Sequence, residues 1–88
     1  MTILEKYVYD TLLDVEAEKA KWNIEPIHTL VRGNNLLQKV QELLGMYVAP
    51  KELDAALVSM ATEGYIKMGE TINDVYAEVV HKEFRSLL

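Results

Sequence analysis

Apolar side chains recur at three- and four-residue intervals in several segments of the chain, and glycine, proline or asparagine breaks the pattern after each one. That segmentation constrains the fold more than any other feature, because it specifies short helices joined by turns and packed around one centre. The first stripe is Leu4, Tyr7, Val8, Leu12, Val15 and Trp22, which share the core-facing side of a helix from about Ile3 to about Trp22. Thr2 is its N-cap candidate, and Asn23 and Pro26 lie beyond its end. Tyr9 and Leu13 fall on nearly the opposite side, as ordinary exposed apolar residues or as a second contact surface.

Asn23 to Pro26 reads as a connector and Ile27 to Val31 as a short turn of helix or strand. Arg32-Gly33-Asn34-Asn35 forms a break with capping chemistry. Leu36, Leu37, Val40, Leu43 and Leu44 return to helical spacing, and Gly45 suits a left-handed C-terminal cap. Pro50 suits the first turn of a third helix, whose apolar face is Leu53, Ala56, Leu57 and Met60 up to Gly64. Tyr65-Ile66-Lys67-Met68 is a single short strand or an extended link. Thr71-Ile72-Asn73-Asp74 resembles a capping box, which places a fourth helix from there to the C-terminus. On that helix Ile72, Val75, Tyr76, Val79, Val80, Phe84, Leu87 and Leu88 span an arc wider than one packing surface needs.

Eighty-eight residues, half of them hydrophobic and 26% charged, suffice for one core, so residues 1–88 read as a single helical domain. Cysteine is absent, which leaves helix packing or oligomerisation to stabilise a chain of this size. No signal peptide or membrane-spanning stretch is visible, so a cytoplasmic location without membrane contact is expected. A net charge of -5 opposes binding to nucleic acid unless the nine basic residues gather on one face.

From Leu36 to Ile66 the order of features resembles the helix-turn-helix of winged-helix proteins. A short helix ends in Leu44-Gly45, and a longer one, Lys51 to Thr62, ends in Glu63-Gly64-Tyr65-Ile66. The expected fold class is therefore mainly α, with about four helices. It is either a winged-helix-like helix-turn-helix with a minimal or absent wing, since Lys67 to Glu70 leaves little chain for one, or a small helical bundle. The resemblance implies that the second helix of the motif meets DNA, yet it offers Lys51 beside Glu52, Asp54 and Glu63.

Side-chain chemistry points away from catalysis. The histidines, His28 and His81, lack convergent metal ligands, and no nucleophile motif or phosphate-cradling glycine loop occurs, so neither metal nor cofactor is expected. Asp10, Asp14, Glu16 and Glu18 form a solvated helix face or a phosphate mimic. Tyr7, Trp22, Tyr76 and Phe84 read as core aromatics, and Tyr9, Tyr47 and Tyr65 as contact aromatics. The expectation is a non-enzymatic interaction or regulatory module that pairs with itself and with an unidentified protein. Its homodimer would form through the terminal helices, with Tyr9, Leu13, Val75, Val79, Phe84, Leu87 and Leu88 at the interface. The alternative is a DNA-binding regulator using Arg32, Lys39, Lys51 and Lys67.

Overall fold

The computed structural model describes residues 1–80, in the order α1 (Ile3–Lys21), β1 (Thr29–Leu30), α2 (Leu36–Leu44), α3 (Pro50–Thr62), β2 (Ile66–Glu70) and β3 (Val75–Val79). Helices α1 and α3 pack against a three-stranded antiparallel sheet of order β1-β3-β2, and α2 packs on α1. This α+β architecture overturns the mainly helical, four-helix expectation.

Local chemistry accounts for the helices. Thr2 and Glu5 form a reciprocal capping box at the start of α1: Glu5 N–H donates to Thr2 Oγ1 at 3.1 Å, and Thr2 N–H donates to Glu5 Oε1 at 2.7 Å. Gly45 closes α2 at φ 78°, the left-handed conformation that a side chain would penalise. In the turn that follows, Val48 is buried and its N–H donates to the Gln41 side chain at 2.9 Å, which ties the turn back to α2. Pro50 opens α3, and Ala49 N–H donates to Glu52 Oε1 at 3.0 Å.

The correction at the C-terminal end has a clear cause. Thr71 to Asp74, read as a helix start, is the turn of a β-hairpin, with Thr71 N–H donating to Asp74 O at 2.8 Å. Beyond it Val75 to Val79 runs as the central strand, with Ile66 opposite Val79 and Gly69 opposite Tyr76. Alternation along the strand puts Val75, Ala77 and Val79 on one face and Tyr76 on the other, and a period of two read at helical spacing spreads those residues around the projection; β-branched valines and a tyrosine also favour a strand. Lys67 to Glu70 needed only a partner, and β3 supplies it.

The core joins all of these layers. Val8, Leu12, Leu36, Val40, Leu53, Leu57, Met60, Ile66 and Val79 are essentially inaccessible. Tyr9 and Leu13, at 4% exposure each, belong to the same cluster, and Tyr9 meets the Tyr65 ring edge-to-face at 6.3 Å. Helix α1 is thus covered on two sides, by α2 and α3 and by the sheet, and its second apolar stripe is consumed within one subunit. Trp22 is the opposite correction: placed on the core stripe by periodicity, it is 62% exposed because α1 ends at Lys21.

Candidate protein-interaction surface

Helix α3 buries Leu53, Ala56, Leu57 and Met60, so Lys51, Asp54, Ala55, Val58 and Thr62 form its outward stripe. Val58 is 58% exposed there. Across a groove of about 820 Å³ stands the β2–β3 hairpin, whose turn carries Ile72 at 97% exposure. Leu53 and Met68 contribute the apolar floor, and Asp54, Glu70 and Asp74 set three carboxylates against the Arg32 guanidinium among the lining charges.

The turn that holds Ile72 outward is fixed by Asp74. Its Oδ1 accepts from Arg32 N–H at 3.0 Å and from Val75 N–H at 2.8 Å, and its Oδ2 accepts from Gly33 N–H at 2.8 Å. These donors, the Arg32 amide first, hold the Asp74 carboxyl below its ordinary range, since each favours the charged form. One side chain therefore fastens the hairpin turn to the loop before α2. The sequence signal was the pair Asn73-Asp74 after Thr71, which marks turns as readily as helix starts.

A second groove, of about 780 Å³, lies between α1 and α2, with Val15, Ile24 and Leu43 as its apolar lining. Lys19 donates to His28 O and Lys39 to Asn34 O, each at 2.6 Å, so both ammonium groups are held in place. Near its edge the Trp22 indole N–H donates to Glu18 Oε1 at 2.8 Å, and Lys21 Nζ lies 5.3 Å from the ring centroid.

The residues singled out in the sequence are dispersed. Tyr9 and Leu13 are core residues and offer no surface; Val79 is also buried in β3, and Val75 is half-buried beside the hairpin turn. Phe84, Leu87, Leu88 and His81 lie outside the described residues. Arg32 lines the α3–hairpin groove and Lys39 the α1–α2 groove, while Lys51 and Lys67 line neither, so the four bases do not share one groove. Of the acidic run, Glu16 is 3% exposed and accepts from Val79 N–H at 2.7 Å, which removes it from any phosphate-like face. Tyr47, at 74% exposure, is the one suspected contact aromatic that faces solvent, whereas Tyr65 is half-buried. His28 stacks on Tyr76 at 4.4 Å, and no three metal-ligating side chains converge among the described residues. No helix among these residues is long and apolar enough to cross a membrane. No protein-family model, curated protein or solved structure matches the chain.

Proposed function

We propose that this chain is a small, non-catalytic interaction module of winged-helix type that acts inside the cell and presents its α3–hairpin face to a protein rather than to DNA. What supports the winged-helix part of this reading is the order of short helix, turn and longer helix over Leu36 to Ile66; the β2–β3 hairpin that follows stands where the resemblance left room for a minimal wing or none. The observation that carries the protein-binding part is the make-up of that face. Its prominent groups are Val58 and Ile72, and carboxylates outnumber the bases around them. A DNA-reading face needs cations to replace the counterions of the phosphates, and this face would repel them. Apolar groups standing out from a rigid helix and a fastened turn suit burial in a protein partner, because little ordering entropy remains to be lost.

Replacing Ile72 by a photo-crosslinking benzoylphenylalanine in the producing cell tests the reading. The expected product is a covalent adduct with another polypeptide that disappears when Val58→Asp is added, while far-UV circular dichroism shows the fold retained. An adduct with nucleic acid, or binding of mixed-sequence duplex DNA that weakens steeply with salt, would overturn it in favour of a DNA-binding regulator.

A further inference from the structure

We infer that the α1–α2 groove is where a second copy of this chain docks. The inference is independent of the α3–hairpin reading, because it concerns a different face. A two-fold interface sets a patch against itself, so a patch that bears charge pairs best with its copy when both signs surround an apolar centre. The α1–α2 groove has that make-up. Val15, Ile24 and Leu43 are the centre, with Ile24 52% and Leu43 50% exposed, and Asp14, Glu18 and Glu42 accompany Lys19 and Lys39. These five charges sum to -1, against -5 for the whole chain, so two copies meet here with little repulsion. The α3–hairpin groove, with three carboxylates and one guanidinium, would set acid against acid under the same rotation.

The charges of this face are also pre-positioned. Carbonyl oxygens of His28 and Asn34 hold the two ammonium groups at 2.6 Å. Glu18 is steadied by the Trp22 indole N–H. Ordered groups lose less freedom on docking than mobile ones. Trp22, 62% exposed beside the groove, belongs to the residue type that most often anchors interfaces. An ordinary interface of about 800 Å² per partner would cover about a seventh of the 5829 Å² surface of the described chain.

Static light scattering of the whole chain from micromolar to millimolar concentration, with tryptophan emission recorded on the same samples, tests the inference. The molar mass is expected to rise from 10.1 kDa toward twice that value. Emission should shift to the blue in parallel, since Trp22 is the sole tryptophan. Leu43→Asp and Lys39→Glu should each raise the dimer dissociation constant at least tenfold, and Ile72→Asp should leave it unchanged. All three substituted positions are open to solvent, and far-UV circular dichroism checks that each variant is folded. A mass that stays at 10.1 kDa throughout overturns the inference. So does a dimer indifferent to Leu43→Asp and Lys39→Glu, or one that Ile72→Asp dissociates, as does capture of a different protein at this face by a chain that stays monomeric.

Discussion

Gly69 shows how one residue can be fixed by what lies across from it. A methyl group built at Gly69 would sit 2.4 Å from ring atoms of Tyr76, its partner across the strands. That ring cannot simply swing away, because His28 is stacked on it with centroids 4.4 Å apart and planes 20° apart. Gly69→Ala is therefore expected to destabilise the fold by about 1–3 kcal/mol through overpacking, read as a lower urea midpoint. In a His28→Ala background the loss should shrink, since the ring then has somewhere to go, and a double-mutant cycle measures that coupling. Asp74 acts at the same scale with the opposite chemistry, as an acceptor for three backbone amides. Asp74→Ala leaves those amides to water, so amide hydrogen exchange at Arg32 and Gly33 should accelerate well beyond that at core positions such as Leu57.

Elements were legible in the sequence where one period ruled them. Helices α1, α2 and α3 follow from the 3.6-residue spacing of their apolar faces, from Gly45 at a left-handed end and from Pro50 at a first turn. Strand β3 did not, because its apolar residues serve two faces of a central strand, and Thr71 and Asp74 carry capping chemistry that a turn uses equally well. The α3–hairpin face was hidden for the same reason: Ile72 joins Val58 only once the hairpin exists. Glu16 was unreadable too. Among acidic neighbours on a helix nothing distinguishes the carboxylate that faces solvent from the one that accepts Val79 N–H, 63 positions away in the chain. That bond ties the first helix to the central strand in a buried setting, so Glu16→Ala should cost about 1–3 kcal/mol, the penalty of stranding a buried donor. The urea midpoint should fall with the slope of the transition unchanged.

At the scale of the whole molecule, acid should weaken the fold in two separate ranges. His28 has its pKa lowered from 6.5, first by burial and then by the Lys19 ammonium, with the Glu78 carboxylate pulling the other way. The folded chain thus resists protonating a ring that the unfolded chain protonates readily. The corresponding stability is complete above pH 6.5 and declines as pH falls from there toward the folded value. Glu5 and Asp74 are also lowered, from 4.5 and 3.8, chiefly by bonds from the Thr2 and Arg32 amides. Their contribution is present above those ordinary values and is lost as pH drops through the folded ones. All three shifts have the same sign, since the unfolded chain binds more protons in each range, so none offsets another. The melting temperature followed by circular dichroism from pH 8 downward should fall first below 6.5 and again below 4.5. His28→Phe keeps a flat ring over Tyr76 while removing the titration. It should abolish the His28 part of the first decline and spare the second, and the difference between the two curves separates His28 from His81. Superimposable curves would show that the His28 ring takes up its proton as easily in the folded chain as in the unfolded one, and that burial between Lys19 and Tyr76 does not govern it.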